Sequence, residues 1–253
     1  MNNLGYFGAR KGLILFKMDT VIDNLRKELI SKSDEKTRIS GERFFREDVR
    51  LYGIRSSEVG RISREYFKTI PDKSKQNIFP LCLKLWQSGM MEESFIACNW
   101  SYNVRKSFDI SDFDTFERWI NDYVNNWASC DTFCNHTVGA LVEKYPELLK
   151  GLKKWAVTVN RWLKRASAVS LIIPAKKGMF LQEIFEIADI LHCDSDDMVQ
   201  KGYGWMLKVA SQSHRDEIFG YVMSKRSTMP RTALRYAIEK MPPDMRKKAM
   251  ERP

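Results

Sequence analysis

The chain has 253 residues and carries 42 Lys and Arg against 32 Asp and Glu, a formal net charge of +10. Hydrophobic residues make up 43% and charged residues 29%. That is a folded soluble composition, with no apolar run that reads as a membrane span and room for one large domain or two small ones. The basic excess, at a pI near 9.3, points to an anionic partner, nucleic acid ahead of a membrane surface. Five scattered cysteines (Cys82, Cys98, Cys130, Cys134 and Cys193) do not form a disulfide framework, so a reducing cytoplasm is the expected setting. Cys130, Cys134 and His136 could begin a metal site. No second pair stands at zinc-ligand spacing, so no metal is expected and these cysteines are read as small apolar residues.

Residues 1–17 hold a short apolar patch without a signal-peptide pattern and are expected to be a loosely attached extension. From Met18 to Pro253 the chain reads as one domain, helix after helix. "VIDNLRKELISKSD" puts Val21, Ile22, Leu25, Leu29 and Ile30 on one face. "SSEVGRISREYFKTI" follows a turn at Gly53, with Ser56 or Ser57 as cap and Val59, Ile62 and Phe67 inward. Further helices run through "KQNIFPLCLKLWQS", "MEESFIACNWSYNVRKSF", "SDFDTFERWINDYVNN", "WASCDTFCNHTVGALVEKY", "PELLKGLKKWAV" and "NRWLKRASAVSLIIP". The last are "LQEIFEIADILH", "DMVQKGYGWMLKVASQS", "RDEIFGYVMSKR" and "PRTALRYAIEKM". The class is all-α. Paired, these helices repeat roughly every 40 residues, which suits a stack of about six HEAT-like hairpins whose inner helices present a concave face to an extended partner. A compact irregular bundle is the alternative.

Charge and aromatics meet in the second half. Between Leu148 and Gln182 there is no acid, while Lys150, Lys153, Lys154, Arg161, Lys164, Arg165, Lys176 and Lys177 are all basic. Such a run is expected to face phosphate, because solvated helix faces usually mix signs. In "VQKGYGWMLK", Lys201, Trp205 and Lys208 share a helical face, with Gly202 and Gly204 beside it. In "TMPRTALRYAIEK", Pro230 suits a first helical turn and Arg231 and Arg235 share a face. In "NNWASCDTFC", Trp127 and Asp131 are one turn apart, and Asp131 is an acid in apolar company. It is either a buried ion-pair partner of Arg161 or Arg165, or a reacting group, and spacing does not choose between them.

"NNWASCDTFC", "KWAVTVNRWLKRASAVSLI", "VQKGYGWMLKVAS" and "MPRTALRYAIEKMP", in this order, resemble the DNA alkylation repair family of AlkD-like glycosylases built from HEAT-like repeats. The resemblance runs from about Arg43 to Pro242. It implies a right-handed α-solenoid with a basic concave face that holds duplex DNA. It also implies hydrolysis of the N-glycosidic bond of N3- and N7-alkylated purines by a monomer without metal or organic cofactor. The catalytic aspartate of the family matches Asp131, its cleft tryptophans Trp127 and Trp205, its cleft arginine Arg165, and a following basic residue Lys208. An aromatic near the amino-terminal end of the cleft matches Phe44, without the hydroxyl that some relatives carry. With Phe44 and Lys208, the expected DNA contacts are Arg161, Lys164, Lys176, Lys177, Lys201, Arg231 and Arg235.

That chemistry needs only one acid. An alkylated purine is already cationic and leaves without protonation, so a fixed carboxylate can stabilise the charge developing on the sugar and orient water. Most sugar hydrolases need a second carboxyl group. Three other readings remain: a non-catalytic binder of damaged or branched DNA, a protein-interaction solenoid, and nucleophilic chemistry at Cys130, for which no convincing base stands nearby.

Overall fold

The structure, a computed structural model, describes residues 20–251. The expected extension over residues 1–17 lies outside the described residues. Every regular element among them is helical, in agreement with the all-α expectation, and none of these helices is long and apolar enough to cross a membrane. The chain divides after Ser107 into two compact units.

The first unit holds α1 (20–31), α2 (Glu35–Phe44), α3 (Ser56–Thr69), α4 (Lys75–Gln87) and α5 (Met91–Asn103). In α1 the stripe is narrower than expected. Ile22, Leu25 and Leu29 are buried, whereas Val21 is half-buried and Ile30 exposed, because they fall at the edges of the stripe. Helix α2 has no apolar stripe, so periodicity does not announce it. Asp34 caps it by accepting from the Thr37 N–H at 2.7 Å, and Arg38 holds both Glu35 and Glu42. Helix α3 starts after Arg55 without a side-chain cap, so Ser56 and Ser57 lie inside its first turn. Val59 and Ile62 are buried, and Phe67 is half-buried against Trp100.

The second unit holds α6 (Asp112–Tyr123), α7 (Trp127–Phe133), α8 (Gly139–Lys144), α9 (Leu149–Ala156), α10 (Arg161–Val169), α11 (Ile172–Lys176), α12 (Leu181–Leu191), α13 (Asp197–Ala210), α14 (Arg215–Lys225), α15 (Arg231–Ile238) and α16 (Pro243–Met250). A π turn, Cys134–Val138, joins α7 to α8. The strongly polar α16, like α2, was invisible to periodicity.

Packing in this unit repeats. Helix α10 packs on α7 and α13, and α13 on α15, while α9 packs on α12. One layer is therefore α7, α10, α13 and α15, backed by a second of α9, α12 and α14. The first-layer helices start at Trp127, Arg161, Asp197 and Arg231, at intervals of 34, 36 and 34 residues. Asn126, Asn160 and Asp196 each cap the next helix through a side-chain oxygen. The period is thus nearer 35 than the expected 40.

Helix α13 is tied into this layer by a glycine. A Cβ at Gly204 would stand 2.8 Å from both the Ala233 carbonyl oxygen and the Tyr236 Cβ on α15. Alanine would gain up to about 1 kcal/mol of helix propensity. Overpacking against a helix backbone costs more, about 1–3 kcal/mol. We expect Gly204→Ala to lower the urea midpoint of unfolding. A raised midpoint would mean that the α13–α15 contact yields.

Candidate active site

Helix α7 begins at Trp127 because Asn126 caps it, accepting the Ser129 N–H at 2.9 Å. Cys130, Phe133 and Cys134 are buried on one side of the helix, leaving Trp127 and Asp131 half-buried on the other. Seven tryptophans occur in the chain. Trp86, Trp100, Trp119, Trp155 and Trp162 are buried, and Trp127 and Trp205 alone are not. A half-exposed indole leaves apolar surface in water, so these two stand out from the core.

Of the two arginines that sequence allowed as partners of Asp131, the structure pairs Arg165. Its Nε donates to Oδ1 and its Nη2 to Oδ2, both at 2.8 Å. Nη1 donates to the Met198 carbonyl at the start of α13. All three guanidinium nitrogens are thereby held, and the side chains are only 6% exposed for Arg165 and 13% for Asp131. Gly202 makes room. A Cβ there would lie 3.2 Å from Arg165 Cγ and 3.5 Å from Nη1. The glycines beside Trp205 therefore serve an arginine and a helix contact.

Burial pushes the Asp131 carboxyl above the ordinary aspartate range, and the hydrogen bonds and charge of Arg165 oppose that shift. Burial lowers Arg165, but its pair with Asp131 outweighs this and leaves it raised and charged. Cys130 is fully buried, and burial holds its thiol well above the usual range, so it is no nucleophile. Among the described residues no group of His, Cys, Asp and Glu could hold a metal ion.

The basic run is not a one-signed surface. Its cations find acids on neighbouring elements that the linear reading could not see. Lys153 pairs with Glu186, Arg161 with Asp196, Lys164 with Asp194 at 2.6 Å, and Lys177 with Glu143 at 2.6 Å. On α13, Lys201 pairs with Asp197 at 2.6 Å and Lys208 with Glu239 at 3.0 Å. Among the described residues Lys150, Lys154, Lys176, Arg231 and Arg235 form no ion pair, and all five are exposed on α9, α11 and α15. The self-repulsion argument for phosphate contact therefore fails for most of the run.

Lys201, Trp205 and Lys208 do share the half-exposed face of α13, opposite buried Tyr203, Met206 and Leu207. Pro230 sits one residue before α15 rather than in its first turn. Phe44 ends α2 in the first unit and is exposed. Sequence reasoning missed the Met198 carbonyl and the acids at 194, 196, 197 and 239. The recurring Asn or Asp cap before α7, α10 and α13 was the signal that could have aligned them.

The DNA alkylation repair enzyme family matches residues 25–241 of this chain. Among solved structures, a predicted DNA alkylation repair enzyme from Enterococcus faecalis is similar in fold, with a TM-score of 0.73 at 15% identity. The likeness covers 84% of this chain and 98% of that one. No curated protein matches the chain.

Removing Arg165 strands a buried carboxylate. We expect Arg165→Ala to lose about 3–5 kcal/mol of stability at neutral pH. The loss should shrink in acid. A carboxyl whose folded pKa is raised adds stability below its unfolded value near 3.8, and that contribution is lost as pH rises through the folded value. Urea unfolding at pH 5 and pH 8 reads this, and equal losses at both would contradict it.

Proposed function

The chain belongs to the DNA alkylation repair enzyme family, and we propose that it is a glycosylase that hydrolyses the N-glycosidic bond of N3- and N7-alkylated purines in duplex DNA. The observation that carries this reading is the fixed, half-buried Asp131 carboxylate in its bidentate pair with Arg165. The two unburied tryptophans, on the same helix and on α13, add to it.

The residues divide the work by their chemistry. The alkylated base carries positive charge and leaves as a neutral purine, so no general acid is required. The sugar becomes cationic as the bond breaks. A carboxylate held rigidly beside it stabilises that charge without reorganising, which is where electrostatic catalysis is strongest. Arg165 occupies one lone-pair direction on each Asp131 oxygen. A carboxylate offers about four such positions, so the remainder can orient the attacking water. Arg165 thus positions the carboxylate and keeps it ionised despite burial. The indole faces of Trp127 and Trp205 suit a cationic nucleoside, at about 0.5–2 kcal/mol for each contact. Arg231 and Arg235, exposed on α15, offer cations to the DNA backbone without breaking an ion pair. The protein would act as a cytoplasmic monomer needing no cofactor.

The other reading is a non-catalytic binder of damaged or branched DNA. The same bidentate pair favours it too, with Asp131 serving only to hold Arg165.

Release of 7-methylguanine and 3-methyladenine from methylated duplex separates the two. We expect wild type to release them and Asp131→Asn to be slower by about 10²–10³-fold, with its circular-dichroism melt and DNA affinity close to wild type. Binding without release by wild type would establish the second reading. We further expect the acidic limb of the excision rate to lie above pH 3.8, because burial raises the carboxyl that must be ionised. A limb at or below that value would remove Asp131 from the rate-determining chemistry.

A further inference from the structure

Three of the expected DNA contacts share one short partner segment. Asp194, Asp196 and Asp197 lie at and just before the start of α13. They take Lys164, Arg161 and Lys201 respectively. Three cations meet three anions, so this part of the face is locally neutral although the whole chain carries +10.

The three acids are not equivalent. Asp196 is the cap of α13, accepting from the Met198 N–H at 2.8 Å, so it has a structural task. Asp197 pairs within its own helix, four residues from Lys201. Asp194 does neither. One of its oxygens accepts the Asp196 N–H at 2.8 Å, and the other reaches across to Lys164 on α10 at 2.6 Å. Its side chain is only 12% exposed while that of Lys164 is 26% exposed. The acid is tucked in and the lysine side chain is the more open member.

We propose that Asp194 is an affinity-limiting counter-charge, which occupies on Lys164 the place a DNA phosphate would take and so weakens binding to duplex in the absence of a lesion. This rests on the reading of the protein as a DNA-acting enzyme and deepens it. A phosphate must displace the carboxylate to reach Lys164. Part-exposed ion pairs are weak enough to exchange, so the carboxylate lowers affinity without abolishing it. The penalty falls on backbone contacts, which are the whole of non-specific binding. A lesion that engages Asp131 and the tryptophans has further contacts to offset it.

The test is Asp194→Asn, which removes the charge and keeps an oxygen for the Asp196 N–H. Binding of wild type and variant to an undamaged 25-base-pair duplex is followed by fluorescence anisotropy across a salt series, with thermal melts alongside. We expect the variant to bind about threefold to tenfold tighter near physiological salt. The plot of log K against log salt should be steeper by about one. In Asp194→Asn/Lys164→Gln that gain should vanish, because Lys164 is what the substitution frees. An affinity within twofold of wild type overturns the proposal and leaves Asp194 a packing contact. So does a gain that survives loss of Lys164, which would make it a general charge effect. Wild type that binds and excises beside an unchanged variant defeats this proposal alone, whereas wild type that does neither defeats the DNA reading with it.

Discussion

The bidentate pair between Asp131 and Arg165 is the constraint on which the rest of the second unit turns. Two charges that are almost out of water are tolerable only when each satisfies the other in good geometry. That requirement sets the neighbourhood. Asn126 must start α7 where it does, so that Asp131 faces α10. Gly202 leaves the arginine room against α13, where a Cβ would crowd Arg165 Cγ at 3.2 Å. The Met198 carbonyl must face the third nitrogen. Three helices from successive repeats are thus registered by one guanidinium.

Ion pairs between successive repeats recur at lower burial along the layer. Arg161 reaches Asp196, Lys164 reaches Asp194 and Lys208 reaches Glu239, across 35, 30 and 31 residues. Each links one repeat to the next. Exposed pairs of this kind stabilise little individually, and the apolar layer contacts carry the fold. What the pairs decide is the electrostatic character of the surface. They turn a strongly basic stretch of sequence into a face of mixed sign, with unpaired arginine left on α15.

The two unburied tryptophans gain meaning from that setting. Five of the seven indoles fill the core, as in the stack of Trp155 on Phe113 at 4.5 Å. Trp127 and Trp205 are left at the surface of α7 and α13, the helices that bear or brace the charged pair. An indole left partly exposed on these two helices is what the proposed reading would set against a cationic ligand.

Sequence alone determined the class and most of the helices, because an apolar stripe at helical spacing is a local property. It also showed the motifs around Trp127, Asp131, Arg165 and Trp205 that carry the family resemblance. It could not see α2 or α16, whose polar surfaces leave no stripe to read. Nor could it choose between Arg161 and Arg165 as partner of Asp131, since both lie on the same face of one helix. Only the tertiary structure decided that, through the 34-residue register between α7 and α10. The sign of the surface was likewise undetermined by the chain order. Lys164 and Asp194 are 30 residues apart in sequence, and a linear charge run counts only the neighbours along the chain. Charges interact through space, so the acids that neutralise the run appear only when the repeats are stacked.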